Sequence, residues 1–261
     1  RVHVTELNDR MLAAGVTIGA NRTFSAVTTC FAWAVHKGIV AESPCVGIKR
    51  PVKKETPETR NLTFAELAVA LPAIAEAAIP PSARGLLILV ALSACRPGEA
   101  RLARWSDVDF EAGVWRINEN KADRPHLVPM TRAIRDLFIA ARWRSPGEAS
   151  EYVFPRADGR PPLSANMISK LLKRSTSADG LTFGVEPFTA RDLRRTAATR
   201  LAEVQTDPYI LALLLNHAPK TVTDRVYNQW VELDARRAAL ERYHERLTDE
   251  LGGVLPWAVS A

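Results

Sequence analysis

The stretch SARGLLILVALSA, residues 82–94, decides the fold because it would be apolar on every side of a helix. A surface helix keeps one polar face, so a helix without such a face belongs at the centre of a hydrophobic core. The uncharged run, residues 85–95, is much shorter than the roughly 20 apolar residues that cross a bilayer. The sequence therefore predicts a globular domain built around this helix, with no membrane partner.

The segments around this helix predict a mixed fold. A capping box formed by Thr63 and Glu66 opens the domain before an apolar run. Two strands, 114–117 and 126–129, are joined by a polar turn, and residues 152–155 are a candidate third strand. Apolar periodicity predicts further helices at about 97–105, 131–143, 164–175, 187–203, 207–216 and 233–248. We expect a mixed, mainly α fold with a small antiparallel β-sheet.

Residues upstream of Thr63 indicate a second domain and a linker. Residues 1–48 have helical periodicity, but one or two helices bury little surface, so we interpret them as a partial helical domain. Residues 49–60, KRPVKKETPETR, are charged, contain two prolines and are typical of an interdomain linker. The second domain would span 61–250. Residues 251–261 form an apolar tail, which either packs on its own domain or docks on a neighbour.

Composition favours an anionic partner. Lys and Arg total 35 and Asp and Glu total 29, a net charge of +6 with a sequence pI near 9.5. Cationic groups bind nucleic acid by releasing its counterions, although many basic proteins bind none. The three cysteines lack the spacing of a metal site or a disulfide framework, so we expect them to be buried and reduced, as in a cytosol.

The segment TARDLRRT, residues 189–196, concentrates positive charge. On a helix, Arg191, Arg194 and Arg195 would fall on one arc and the apolar residues on another. Neighbouring arginines repel unless an anion neutralises them, and a guanidinium donates two parallel hydrogen bonds to a phosphate. Taken alone, the segment favours a solvated basic face.

A second arginine, Arg96, lies between the apolar helix and a helix that begins at Pro97. Backbone amides and the helix dipole favour anions at such an N-terminus, although the arginine alone could cap a loop. Glu99 would then either orient Arg96 or simply provide a charge at the start of the helix. His217 and, ten residues later, Tyr227 are each unremarkable when taken singly.

The order of these motifs is specific. RPGEA at 96–100, a lysine before PHLVP at 125–129, RDLRRT at 191–196, LNH at 215–217 and VY at 226–227 together resemble the tyrosine recombinases of the phage integrase family. The similarity is greatest to the prophage-integrase branch and covers roughly residues 20–248. It implies a recombinase catalytic domain preceded by a partial core-binding domain, with the two forming a clamp around duplex DNA.

The resemblance also implies roles for individual residues. Tyr227 matches the nucleophile that forms a 3′-phosphotyrosine and frees a 5′-hydroxyl, without metal, cofactor or ATP. Arg96 and Arg194 match the pair that holds the phosphate. His217 matches a residue that contacts the phosphate or assists proton transfer, and Lys121 matches the general acid for the leaving oxygen.

One position departs from the family pattern. The family often has histidine where this chain has Arg191, and an arginine stays protonated, so it is a poor base. We interpret Arg191 as a third contact to phosphate or backbone. Tyr243 is a rival nucleophile at a position typical of helix packing, and His126 on its strand is either structural or facing DNA.

The resemblance implies a site-specific recombinase that integrates or excises a mobile element. Its expected partners are a double-stranded DNA attachment site, three further copies in a homotetramer on synapsed DNA, and accessory DNA-bending proteins. The expected location is the bacterial cytoplasm, at the nucleoid. Two alternatives stay open: a catalytically inactive DNA-binding relative, and an enzyme like a type IB topoisomerase.

DNA affinity should depend steeply on salt. If six or more phosphates are contacted, raising the salt from 50 to 200 mM should weaken binding by roughly 10³-fold, because each contact releases counterions. Fluorescence anisotropy with a labelled duplex measures this slope. A flat salt dependence would contradict a binding surface that follows the DNA backbone.

Overall fold

A computed structural model describes residues 1–53, 60–118, 126–144, 150–156, 162–217 and 231–257. The chain divides into two compact units, Arg1–Glu58 and Thr59–Ala261. Lys121 and Tyr227 lie outside the described residues, as do most of the second half of the predicted linker and the last four residues of the tail.

The first unit is a helix pair with a small core. It contains α1 (Val2–Ala13) and α2 (Thr17–His36). Three apolar side chains form its buried cluster: Val4, Phe24 and Cys45. The buried amide of Asn21 pairs in both directions with the backbone of Val52, donating to its carbonyl at 2.9 Å and accepting from its N–H at 3.0 Å. These two hydrogen bonds hold the beginning of the predicted linker, residues 49–60, against α2.

The second unit is mainly helical, with one small sheet, so the predicted fold class is confirmed. Its elements, in chain order, are α3 (Phe64–Glu76), α4 (Pro81–Ser93), α5 (Pro97–Arg101), β1 (Val108–Asp109), β2 (Val114–Ile117), β3 (His126–Pro129), α6 (Arg132–Arg144), α7 (Ala165–Arg174), α8 (Ala190–Glu203), α9 (Pro208–Leu214) and α10 (Val231–Glu250). Thr63 and Glu66 form the predicted capping box of α3.

Helix α4 is the centre of this unit, as its composition predicts. Every residue of the helix except Pro81 and Arg84 is buried. It packs against α3, α5, α6, α8 and α10. The helix ends at Ser93 and is followed by Ala94, a non-glycine residue in the left-handed region with φ 54°. The chain leaves the core there and reaches Arg96 two residues later.

The sheet is antiparallel in the order β1-β2-β3, with Trp115 opposite Val128. Both predicted strands are confirmed, but the predicted third strand is wrong. The third strand is β1, whereas Tyr152 makes only an isolated bridge to Arg104. The apolar run after Tyr152 reflects burial rather than strand pairing, because its side chains Val153 and Phe154 enter the core. The helix predicted over 97–105 is also shorter and ends at Arg101.

The cysteines and the tail complete the comparison with the sequence. Cys45 and Cys95 are buried as predicted, but Cys30 is exposed because it lies on the outer face of α2. Trp257 is buried in the second unit, where its indole Nε1–H donates to the Ala133 carbonyl at 3.2 Å. The described part of the tail therefore packs on its own domain. Within the described ranges, no helix combines the length and apolarity needed to cross a membrane.

Helix α10 is fixed to the last turn of α4 by a buried histidine. His244 Nε2 lies 2.9 Å from the Leu92 carbonyl, and Nδ1 lies 2.8 Å from the Thr131 hydroxyl. A carbonyl can only accept, so Nε2 carries the proton and Nδ1 accepts from Thr131. Burial lowers the pKa of His244 to about 4, so the ring is neutral at physiological pH.

This histidine should make the fold sensitive to acid. Its pKa is about 4 when folded and about 6.5 in an unfolded chain, so only the unfolded state takes up a proton between these values. Stability should therefore be fully present above pH 6.5, fall by about 2 kcal/mol by pH 5, and continue to fall towards pH 4. Urea unfolding across this range measures the loss.

His244→Gln should reduce this pH dependence, because glutamine does not titrate. The exposed His36→Gln is the matched control and should leave the dependence unchanged. Equal pH dependence in wild type and His244→Gln would show that another group is responsible.

Candidate active site

The three arginines at the N-terminus of α8 differ in their exposure and in their partners. Arg191 is exposed, and Arg195 forms an ion pair with Asp192, the residue that also completes the capping box with Thr189. Arg194 points inward. The prediction that the arc of these three arginines faces away from the core is therefore wrong for Arg194, because it lies seven residues, or two turns, before the fully buried Leu201 and so shares its side of the helix.

Arg194 is held at the edge of the core. Its side chain is 13% exposed, and its Nη2 donates to the Leu215 carbonyl at 2.7 Å. Nη1 is buried, has no hydrogen-bond partner among the described residues and lies 3.9 Å from the Glu99 carboxylate. Burial, and then the charge of neighbouring Arg96, lower the pKa of Arg194. A guanidinium nonetheless stays protonated, so an anion at this point would be stabilising.

Glu99 connects the two arginines of the site. Its carboxylate, 4% exposed, accepts from the backbone N–H of Arg96 and from Arg96 Nη1, both at 2.7 Å. The same carboxylate faces Arg194. Two guanidinium groups around one carboxylate leave a net single positive charge. A phosphodiester carries a single negative charge, so the charges match.

The turn after α9 completes the site. The helix ends at Leu214, and Asn216 adopts the left-handed conformation with φ 49°. Arg96 Nη2 donates to the Asn216 carbonyl at 3.4 Å, next to the carbonyl that accepts from Arg194. His217 follows directly and is exposed. The structure therefore brings Arg96, Arg194 and the backbone before His217 together.

The remaining predicted residues fall into two groups. Lys121 and Tyr227 lie outside the described residues, and within those residues no hydrogen bond or ion pair joins exposed Arg191 to the paired arginines, so the roles of all three stay predictions. His126 is buried on β3, in agreement with a structural role.

Tyr243 is excluded as a nucleophile by its surroundings. Its side chain is buried, and its hydroxyl donates to the Ala91 carbonyl at 2.9 Å inside the core. Burial also raises the pKa of Tyr243, which makes the phenolate harder to form. Substrate cannot reach this oxygen.

Sequence reasoning missed two features of the site. It assigned Glu99 to Arg96 alone, since nothing in the sequence shows that Arg194 faces the same carboxylate. It also gave no role to Asn216, although an asparagine directly after an apolar helical run is a recognised signal for a left-handed helix end.

Replacing the shared carboxylate should destabilise the fold. In Glu99→Gln, two neighbouring guanidinium groups lose their buried counter-charge, and we expect a loss of about 2–3 kcal/mol in the free energy of unfolding. Urea denaturation at pH 7 measures it. Glu203→Gln is the control, because Glu203 is half exposed in its ion pair with Arg200 and should change stability by less than about 0.5 kcal/mol. Equal losses in both variants would contradict a buried role for Glu99.

Comparison with known proteins places this chain in a family. The model of the phage integrase family matches residues 60–232, more than half of the chain. The prophage integrase IntA of Escherichia coli (strain K12) is 27% identical over 236 residues, which are 88% of this chain and 54% of the relative. The tyrosine recombinase XerC of Xylella fastidiosa (strain 9a5c) is 29% identical over 207 residues, 77% of this chain and 67% of the relative. The chain spans about half the length of the prophage integrase it matches.

Solved structures share the fold. A lambda integrase dimer bound to a COC' core site superposes with a TM-score of 0.65 at 20% identity, covering 89% of this chain and 78% of the other. The Tn1549 transposon integrase in complex with transposon right end DNA superposes with a TM-score of 0.67 at 19% identity, covering 92% and 84%. With the family match over most of the second unit, the conclusion is that this chain belongs to the phage integrase family of tyrosine recombinases.

Proposed function

We propose that this chain is the DNA-cleaving part of a site-specific recombinase that integrates or excises a mobile element. The observation that carries the proposal is the pair Arg96 and Arg194 around buried Glu99, with its net positive charge next to His217. Such a pair suits the scissile phosphate of DNA, whose transition state gains negative charge. Relatives named as prophage integrases and tyrosine recombinases support this substrate.

The proposed reaction conserves the phosphodiester bond energy. The Tyr227 oxygen attacks the scissile phosphorus and forms a 3′-phosphotyrosine, while the bond to the 5′-oxygen breaks. Lys121 gives a proton to that leaving oxygen, and His217 contacts the phosphate or assists proton transfer. The free 5′-hydroxyl of another strand then attacks the phosphotyrosine and releases the enzyme. Neither step requires ATP, a metal or a cofactor.

Arg191 extends the phosphate-binding surface in this proposal. Its exposure leaves it accessible to the DNA backbone, and its permanent charge suits binding rather than proton transfer. The proton of Tyr227 must then pass to another acceptor, and His217, ten residues earlier in the sequence, is the histidine that the motif set offers for this role.

The proposed assembly is a tetramer on two synapsed attachment sites in the bacterial cytoplasm, at the nucleoid, with accessory proteins that bend the DNA. A structural neighbour described as a lambda integrase tetramer bound to a Holliday junction supports this arrangement. Residues 1–48 would be part of the core-binding domain, 49–60 the linker, 61–250 the catalytic domain and 251–261 the tail.

Covalent trapping tests the chemistry. When a nicked suicide duplex that carries the attachment site is cleaved, the fragment with the 5′-hydroxyl is lost and the strand cannot be rejoined. The phosphotyrosine adduct therefore accumulates and is detected on a denaturing gel. We expect an adduct with wild type and with Tyr243→Phe, whose hydroxyl is inside the core, and none with Tyr227→Phe.

The other outcomes are equally informative. An adduct with Tyr227→Phe would show that Tyr227 is not the nucleophile. If wild type binds the duplex but gives no adduct, the chain is an inactive DNA-binding relative. Relaxation of any supercoiled plasmid, without dependence on one sequence, would favour a topoisomerase.

A further inference from the structure

The turn at Leu215–Asn216 contacts both arginines of the site through its backbone. Arg194 Nη2 donates to the Leu215 carbonyl at 2.7 Å, and Arg96 Nη2 donates to the Asn216 carbonyl at 3.4 Å. These acceptors are consecutive in the chain, whereas the donors come from α8 and from the residue before α5. One short piece of backbone therefore fixes one end of each guanidinium.

The hydrogen bonds at the end of α9 explain why these carbonyls are available. The His217 N–H bonds to the Ala212 carbonyl at 3.0 Å, and the Asn216 N–H bonds to the Leu213 carbonyl at 3.0 Å. This is the Schellman arrangement, in which a left-handed residue ends the helix. The carbonyls of Leu215 and Asn216 come after the last backbone pairs of the helix, and each accepts from one arginine.

We propose that Asn216 is a positioning residue of the recombinase, which sets the separation of Arg96 and Arg194 through its left-handed backbone. Asparagine tolerates a positive φ better than most side chains, and a β-branched residue tolerates it poorly. The inference rests on the proposed function, because it assumes that the two guanidinium groups bind one phosphate. It assigns the role to the backbone conformation of Asn216.

The tethered ends leave other donors for a phosphate. Arg96 uses Nη1 for Glu99 and Nη2 for the turn, and Arg194 uses Nη2 for the turn while Nη1 keeps no hydrogen-bond partner in the described part of the chain. A guanidinium has five N–H donors, so both groups can still reach an anion. If the turn moves, both arginines move with it. A misplacement of about 1 Å can slow a reaction by roughly 10²-fold.

A graded series at Asn216 tests the proposal. Glycine adopts a positive φ freely, alanine does so at some cost, as Ala94 does in this chain, and valine resists it. With saturating suicide duplex in a single turnover, Asn216→Gly should cleave within about threefold of wild type, Asn216→Ala more slowly, and Asn216→Val roughly 10²-fold more slowly. The Kd for the duplex should change little, since a surface that contacts six or more phosphates would have most of its contacts outside this site.

Gln205→Val is the matched control. Gln205 also has a positive φ, 58°, but it is exposed after the end of α8, and in the described part of the chain no hydrogen bond joins it to either arginine. It should lower the thermal midpoint as Asn216→Val does and leave the cleavage rate unchanged. If Gln205→Val slows cleavage as much, general destabilisation explains the effect. If Asn216→Gly is as slow as Asn216→Val, the amide side chain is responsible, and the proposal is wrong.

A second readout does not depend on catalysis. Inorganic phosphate should raise the thermal midpoint of wild type, Asn216→Gly and Gln205→Val by filling the site between the arginines. Asn216→Val should lose this rise, and Asn216→Ala should keep only part of it. The alanine variant therefore still tests the proposal if the valine variant does not fold. A full rise in both Asn216→Ala and Asn216→Val would overturn the inference. Absence of cleavage by wild type with these shifts intact would count against the proposed function alone.

Discussion

The site depends on a single buried carboxylate. Glu99 lies between two guanidinium groups: it accepts hydrogen bonds from the backbone N–H and Nη1 of Arg96, and it forms an ion pair with Arg194 at 3.9 Å. A buried charge is tolerated only when its partners are in place, and the same holds for two cations brought together. The carboxylate therefore explains how Arg96 and Arg194 can remain close before any DNA arrives. It also leaves their combined charge at one, which is what a phosphodiester requires.

Helix α4 connects the arginine site to the hydrophobic core. The carbonyls of Ala91 and Leu92, in the last turn of α4, accept from Tyr243 and His244 of α10. The same turn leads through Ala94 to Arg96. Helix α10 comes after the segment that contains Tyr227 in the sequence. The C-terminal end of α4 therefore both leads to Arg96 and anchors the helix that follows Tyr227.

Much of the architecture could be predicted from the sequence because local patterns determine it. The all-apolar pattern predicted α4, the Thr63 and Glu66 pair predicted the start of α3, and two short runs joined by a polar turn predicted β2 and β3. The third strand was misplaced because a short apolar run next to Tyr152 has the same composition whether it pairs or simply packs. Only tertiary structure separates these cases.

The site was predicted less completely for a similar reason. Motif order identified Arg96 and Arg194, but Arg194 was expected on a solvent-facing arc with Arg195. Its inward direction follows from its alignment with Leu201, and its two partners come from distant segments: the Leu215 carbonyl, which accepts a hydrogen bond, and the Glu99 carboxylate, which supplies the counter-charge. Distances in space between such segments are not encoded in any local pattern.

The burial of the cysteines determines which of their thiols can react. Cys95 is adjacent to Arg96, yet it is fully buried, and burial raises its pKa to about 12. Only a thiolate reacts readily with alkylating reagents or oxidants, so this sulfur is protected despite its position beside the site. Cys45 is also buried, whereas Cys30 is open to solvent on α2. A maleimide dye should therefore label the first unit at Cys30 and leave the arginine pair untouched.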